Sequence, residues 1–105
     1  MRQLDEHASG TEIKLGTGDV VELCLQENPT TGFKWHFKAR GQPVCAIVAE
    51  NYIAGGAEPG AGGTRHWQIK AIAAGTAQIE LIHARPWETE APPARTFTMT
   101  IRAED

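Results

Sequence analysis

The sequence predicts an all-β protein, an immunoglobulin-like β-sandwich of about seven antiparallel strands. Three observations support this fold class. Apolar residues recur at every second position in most hydrophobic runs, which is the period of a half-buried strand. Glycine- and proline-rich segments separate these runs at short intervals, and no run has the 3.6-residue period of an amphipathic helix. The length of 105 residues fits a single domain, residues 1–105.

The first half of the chain contains four predicted strands, A to D. Strand A is short and lies around residues 13–15, so we expect residues 1–10 to form a flexible or peripheral segment. Strand B is "DVVELCLQ", with three apolar residues on its inward face. Strand C is "FKWHFK", whose three aromatic residues share one face, and strand D lies in the less regular run "VCAIVAENY".

The second half contains three predicted strands, E to G, in "HWQIKAI", "AQIELIHA" and "TFTMTIR". All three alternate with the two-residue period. Trp35 of strand C and Trp67 of strand E lie at inward positions, so we expect both to pack in the core.

Three unusual loops are expected to meet at one end of the sandwich. If successive strands alternate in direction, every second connection falls at the same end. That end receives "NPTTG" (B–C), "GGAEPGAGG" (D–E) and "RPWETEAPP" (F–G), while the short turns "GTG", "GQP" and "AAG" lie at the other. Functional loops on a rigid scaffold are typical of binding modules.

The B–C loop combines stiffness with small polar side chains. Pro29 fixes its own φ and biases Asn28 toward extended conformations, so the loop has little entropy to lose on binding. Thr30 and Thr31 offer hydroxyl groups, and Gly32 lets the backbone turn into strand C. In the D–E loop, "GAGG" has no large side chain. The F–G loop presents an arginine and a tryptophan beside a proline, and these two residue types are enriched in binding hot spots.

The motifs "NPTTGFKW", "GAGGTRHW" and "RPW", in this order and on these loops, resemble the three motifs of the chagasin-type inhibitors of cysteine peptidases. The resemblance covers nearly the whole chain. It implies a reversible, non-covalent inhibitor of papain-like cysteine peptidases whose loops enter the active-site cleft. The first loop would cover the catalytic cysteine, and the other two would grip either side. The residues implied are Asn28, Pro29, Thr30, Thr31 and Gly32, then Pro59, Gly60, Ala61, Gly62 and Gly63, then Arg85, Pro86 and Trp87.

One departure concerns the D–E loop. The family often carries a bulky apolar residue just before the glycine motif, directed toward the main specificity pocket of the enzyme. Pro59 takes this place here, after Glu58. A proline fills a pocket less deeply, and an unpaired carboxylate is costly to bury. The departure bears on target preference rather than on the class of inhibitor.

Other function classes receive less support. The same loop end would also suit an immunoglobulin-like recognition or adhesion module that binds a ligand other than a peptidase.

The four histidines lie in different segments without a ligand spacing, so no metal site or cofactor is expected. For catalysis, His36 is the best outward-facing partner for Cys24, but strands B and C usually belong to opposite sheets. The sequence does not decide whether Cys24 and Cys45 form a disulfide. The histidines are His7, His36, His66 and His83.

Charge and composition limit the classes of partner that the chain could bind. The net charge is −3 with both signs mixed along the chain, which gives no footprint for nucleic acid or an anionic membrane. No apolar run reaches the roughly 20 residues of a membrane helix. The first ten residues have no signal-peptide core, and a mature periplasmic or secreted form would look the same. The family resemblance implies a papain-like cysteine peptidase as the partner, and we expect the chain to be a monomer.

Overall fold

The computed structural model describes residues 2–55, 62–88 and 92–105. Within these residues the chain forms eight strands and two short 3-10 turns. Neither turn has the length or hydropathy of a membrane span. The strands are β1 (Arg2–Leu4), β2 (Thr11–Gly16), β3 (Val20–Glu27), β4 (Lys34–Arg40), β5 (Cys45–Ala54), β6 (Gly63–Ala71), β7 (Gly75–Ala84) and β8 (Arg95–Glu104), and the 3-10 turns are Glu6–Ala8 and Pro29–Thr31.

The strands form two four-stranded sheets that pack as a sandwich. One sheet has the order β1-β3-β6-β5 and the other has the order β2-β8-β7-β4. Strands β2 to β8 correspond to the predicted strands A to G, so the immunoglobulin-like, all-β prediction is confirmed. The additional strand is β1, which pairs with β3 at a sheet edge and lies within the segment expected to be flexible or peripheral.

Two strand pairings are parallel, whereas the sequence prediction had only antiparallel strands. They are β1 with β3 and β2 with β8. Both follow from strict alternation of strand direction along the chain. Under that rule two strands separated by an odd number of intervening strands run in the same direction, and here such strands became neighbours. The remaining four pairings are antiparallel.

The core lies between the two sheets and is built from the inward positions of the alternating strands. Trp67 is fully buried, and Trp35 is buried near the loop end, which confirms both as core residues. The irregular pattern of strand D has a structural cause. The register of β5 against β6 shifts between Ile47 and Ala49, a β-bulge that interrupts the two-residue period.

Alternating strand directions place the β3–β4, β5–β6 and β7–β8 connections at one end of the sandwich. The prediction for the three loops is therefore confirmed at the level of topology. Contacts between the loops, described below, show that their described parts adjoin one another.

Candidate functional site

The β3–β4 loop is organised by Asn28. Its side-chain Oδ1 accepts hydrogen bonds from the Thr30 backbone N–H (3.1 Å) and the Thr30 hydroxyl (2.7 Å). Its backbone carbonyl accepts from the Thr31 hydroxyl at 2.8 Å and from the Thr31 N–H at 3.2 Å. These bonds close the 3-10 turn Pro29–Thr31, as expected for an Asx-type turn. The tip of the loop is therefore a compact turn and not an extended segment.

Gly32 ends this turn with a positive φ of 81°. A Cβ at this position would collide with the six-membered ring of Trp87, which lies directly against the glycine. Only glycine satisfies both the backbone conformation and this close approach. The indole nevertheless remains 68% exposed, so most of its surface is open to a partner.

Arg85 joins the β7–β8 loop to the β3–β4 loop. Its Nε donates to the Thr31 carbonyl at 3.0 Å, and its guanidinium stacks 4.3 Å from the centre of the Phe33 ring. A second nitrogen pairs with Glu88 Oε1 at 2.9 Å. Arg85 thus fixes two loops to each other by a hydrogen bond and a cation–π contact.

The β5–β6 loop is described only at its base. Pro59, Gly60 and Ala61 lie outside the described residues. The Gly55 N–H donates to the Gly62 carbonyl at 2.9 Å, which closes the base of the loop. A Cβ on Gly62 would lie 3.7 Å from the Asn28 Cβ, so this base adjoins the first loop.

Gly63 is the first residue of β6 and packs against the neighbouring strand. A Cβ there would collide with the Ile53 carbonyl and the Tyr52 hydroxyl. The role of Gly63 in this structure is therefore close packing of β6 on β5. We infer that substitution of Gly63 would disturb the sheet itself as well as the loop.

A buried ion pair stabilises the start of the β3–β4 loop. Glu27 is 3% exposed, and its Oε1 accepts from Arg65 Nε (2.9 Å) and Nη2 (2.8 Å). Its Oε2 accepts from the Trp35 N–H at 3.0 Å. Glu27 immediately precedes Asn28, so this network holds the entry of the loop against two strands. Both arginine nitrogens donate to one carboxylate oxygen, and such charge-assisted hydrogen bonds are stronger than neutral ones.

His83 packs against two aromatic side chains beside this network. Its ring stacks on Phe33, with centroids 5.5 Å apart, and meets the edge of Trp35 at 4.7 Å. Burial, together with the nearby positive charge of Arg95, lowers the pKa of His83 below its ordinary value. We infer a neutral imidazole at neutral pH that acts as a packing group.

A model of the chagasin family of peptidase inhibitors, family I42, matches residues 14–101. The chain belongs to the chagasin family. The matched segment begins within β2 and ends within β8, and it includes the three predicted loops.

Chagasin of Trypanosoma cruzi is 30% identical to this chain over 100 residues, which cover 90% of this chain and 91% of that protein. Two solved structures have the same fold. One is EhICP2, a cysteine protease inhibitor of Entamoeba histolytica, with a TM-score of 0.88 and 24% identity, covering 98% of this chain and 95% of that one. The other is PbICP-C, solved in complex with falcipain-2, with a TM-score of 0.68 and 14% identity, covering 99% of this chain and 100% of that one.

The structure brings together the described members of the predicted site in the first and third loops. Thr31 contacts Arg85, and Gly32 contacts Trp87. Pro86 and Trp87 are exposed in the turn that follows β7. That these residues bind a cysteine peptidase remains a prediction.

Sequence reasoning missed the supporting residues Glu27, Arg65 and His83. Glu27 did carry a signal, because it continues the inward alternation Val21, Leu23 and Leu25 of β3. A carboxylate at an inward position indicates a buried partner. The partner could not be named, because Arg65 is 38 residues away and becomes a neighbour only when β3 and β6 pair.

Strands B and C lie in opposite sheets, as expected, so His36 is not beside Cys24. The histidine beside it is His66 of β6, whose Nδ1 lies 3.1 Å from the Cys24 Sγ. His36 lies on β4 in the other sheet. Both Cys24 and Cys45 are free thiols, so the possible disulfide between them is not formed.

Proposed function

We propose that this chain inhibits papain-like cysteine peptidases reversibly and non-covalently, by placing the β3–β4, β5–β6 and β7–β8 loops in the active-site cleft. One observation carries the proposal. The β3–β4 and β7–β8 loops contact each other and form one ordered edge of the sandwich, the loop edge. Arg85 holds the Thr31 carbonyl, and Trp87 covers Gly32. An edge that is already ordered loses little conformational entropy when it binds.

The conformation of the β3–β4 loop explains how it would resist cleavage. A cysteine peptidase attacks a carbonyl presented at near-attack distance and with aligned geometry. Here the turn Pro29–Thr31 is 3-10 helical, and the carbonyls of Asn28 and Thr31 already accept hydrogen bonds within the inhibitor. The loop would cover the catalytic cysteine without offering it a substrate-like bond. Small side chains at Thr30, Thr31 and Gly32 would permit the close approach.

The β7–β8 loop would supply an anchor beside the catalytic centre. Trp87 is exposed, large and held in place by contact with Gly32. Buried tryptophans are enriched among hot spots, where truncation costs about 2 kcal/mol or more. Pro86 stiffens the turn on which the indole is carried.

The β5–β6 loop would contact the opposite side of the cleft through Pro59, Gly60, Ala61, Gly62 and Gly63. This part of the proposal comes from the sequence motif and from the position of the loop base beside Asn28. Since Pro59 replaces a bulky apolar residue, we expect this loop to select among papain-like peptidases rather than to decide whether they bind.

The partner class comes from the relatives. PbICP-C, which has the same fold, was solved with falcipain-2 bound, and family membership makes a cysteine peptidase the expected target of this chain. We further propose that the chain has no peptidase activity of its own. Burial, together with the hydrogen bond and charge of Glu22, raises the pKa of Cys24 to about 11. An active-site cysteine needs a lowered pKa.

Titration of papain tests the proposed function. Increasing amounts of the chain are added to enzyme of known active-site concentration, with hydrolysis of a fluorogenic peptide as the readout. We expect activity to fall toward zero near one equivalent and to recover on dilution, with the inhibitor mass unchanged by mass spectrometry. Full activity of several papain-like enzymes at micromolar concentrations would refute the proposal and favour a recognition module with another ligand.

A further inference from the structure

Three potential metal ligands converge on the outer face of the sheet β1-β3-β6-β5. Cys24 of β3 lies directly opposite His66 of β6, and Glu22 precedes Cys24 by two residues on the same face. The Cys24 Sγ is 3.1 Å from the His66 Nδ1 and 3.5 Å from the Glu22 Oε1. The His66 Nδ1 is 3.3 Å from the same carboxylate oxygen. The three donor atoms therefore form a compact triangle.

We propose that Glu22, Cys24 and His66 form a three-ligand zinc site, with a fourth coordination position open to water. The site is separate from the loop end that the proposed function uses. Cys24 precedes Asn28 by four residues of extended chain, or about 14 Å. The two proposals can therefore fail independently.

The spacing of the donor atoms matches tetrahedral zinc. Zinc binds cysteine sulfur at about 2.3 Å and histidine nitrogen or carboxylate oxygen at about 2.0–2.2 Å, which places neighbouring donors about 3.3–3.6 Å apart. The three edges of the triangle, at 3.1, 3.3 and 3.5 Å, lie within a few tenths of an ångström of that range. Only small side-chain movements are needed to admit the ion.

The same geometry argues against a catalytic triad. In such a triad the acidic residue holds one imidazole nitrogen while the other nitrogen faces the nucleophile. Here the Cys24 Sγ and the Glu22 Oε1 both face Nδ1 of His66. Three donor atoms this close together can share a cation, but with both partners on one ring nitrogen they do not relay a proton through the imidazole.

The surroundings favour a bound cation. The side chains of Glu22 and His66 are each 18% exposed, which shelters them while leaving a path for the ion. Gln3 of β1 donates to the Glu22 Oε1 at 3.1 Å and would orient this ligand from the second coordination shell. When the Cys24 sulfur bonds to zinc, its proton leaves to solvent, and no oxidation or reduction is involved.

Cobalt and zinc titrations of the reduced protein test the site. With Co²⁺ we expect a one-to-one complex with sulfur-to-cobalt charge-transfer absorption, displaced by one equivalent of Zn²⁺. With Zn²⁺ we expect one-to-one binding by calorimetry and a rise in thermal unfolding temperature. Neither titration contains a peptidase, so the result is independent of the inhibitory function.

Ligand variants distinguish this site from chance binding. Cys24→Ala, His66→Asn and Glu22→Gln should each weaken zinc binding by more than about 100-fold, because even second-shell partners contribute about 10–100-fold. Cys45→Ala removes the other free thiol, which is fully buried, and should leave zinc affinity unchanged in the folded protein. Zinc binding of unchanged affinity in Cys24→Ala or His66→Asn would overturn the proposal. Absence of one-to-one binding by the wild type at micromolar zinc would do the same.

Discussion

Trp87 lies across Gly32 so closely that the indole occupies the space a side chain at residue 32 would need. Two loops separated by more than 50 residues are joined by this contact and by the Arg85–Thr31 hydrogen bond. If the loop edge is the inhibitory surface, changes that move Trp87 should weaken inhibition even when the fold is retained.

Gly32→Ala tests this contact, and Gly10→Ala is its matched control. Both glycines have nearly the same positive φ, 81° and 83°, but a Cβ at Gly10 would meet nothing within 4 Å. Both variants should lose about 1–2 kcal/mol of unfolding free energy, the cost of a left-handed alanine. The exposed indole can move aside in Gly32→Ala, so we expect little further loss of stability.

Inhibition should separate the two variants. We expect Gly32→Ala to weaken papain inhibition by about 10-fold or more, or about 1.4 kcal/mol, because the Trp87 anchor is displaced. Gly10→Ala should inhibit like the wild type. Equal inhibition by both variants would show that the Trp87–Gly32 contact does not matter for binding. Urea unfolding and inhibition assays on the same preparations provide the two readouts.

Glu27→Gln should destabilise the protein by about 2–3 kcal/mol. The change leaves the guanidinium of Arg65, whose side chain is 23% exposed, without its buried carboxylate partner. Glu50→Gln is the control, since Glu50 also pairs with Arg65 but is 49% exposed. Glutamine keeps an oxygen that can accept from Trp67 Nε1, so the loss should stay below about 1 kcal/mol. Urea midpoints at constant slope measure both effects. A loss no larger than that of Glu50→Gln would contradict the structural role of Glu27.

His83 should make the folded state sensitive to acid. Its folded-state pKa is lowered from 6.5 because burial disfavours the charged ring, with Arg95 adding to the effect. Between the folded and the unfolded pKa values the unfolded chain binds more protons, so the unfolding free energy decreases as pH falls below about 6.5. His83→Phe keeps an aromatic ring between Phe33 and Trp35 and should flatten this decrease.

The wild type is the reference for the acid effect, and both proteins are unfolded with urea between pH 5 and about 7.5. If His83→Phe retains the same decrease as the wild type, another group carries the acid sensitivity. Urea unfolding across this pH range provides the measurement.

Much of the fold followed from the sequence because its signals are local. The two-residue alternation in β3, β6, β7 and β8 and the glycine and proline punctuation identified the strands directly. Strand β1 was missed because three residues, Arg2–Leu4, carry too short a pattern. The two parallel pairings were missed because neighbours within a sheet depend on long-range packing rather than on local sequence.

The candidate site was likewise predicted from the sequence only in part. The loop motifs named residues that the structure brings into contact, such as Thr31 with Arg85 and Gly32 with Trp87. The Glu27–Arg65 pair and the Cys24–His66 pair were beyond reach. Both arise from the register of β3 against β6, which joins residues 38 and 42 positions apart and leaves no fixed spacing in the sequence.

We propose that the loop end of the sandwich binds the peptidase. Trp87 lies at that end, while Ile72 lies in the β6–β7 turn at the opposite end and is also a large exposed apolar residue, at 50% exposure against 68%. Trp87→Ala and Ile72→Ala each remove an exposed side chain, so both should unfold at nearly the wild-type urea concentration.

The most direct measurement is the papain inhibition constant of the wild type, Trp87→Ala and Ile72→Ala under identical conditions. We expect Trp87→Ala to raise the constant by about 30-fold or more, corresponding to about 2 kcal/mol, and Ile72→Ala to leave it within about two-fold. A folded Trp87→Ala variant that inhibits as well as Ile72→Ala would contradict the account.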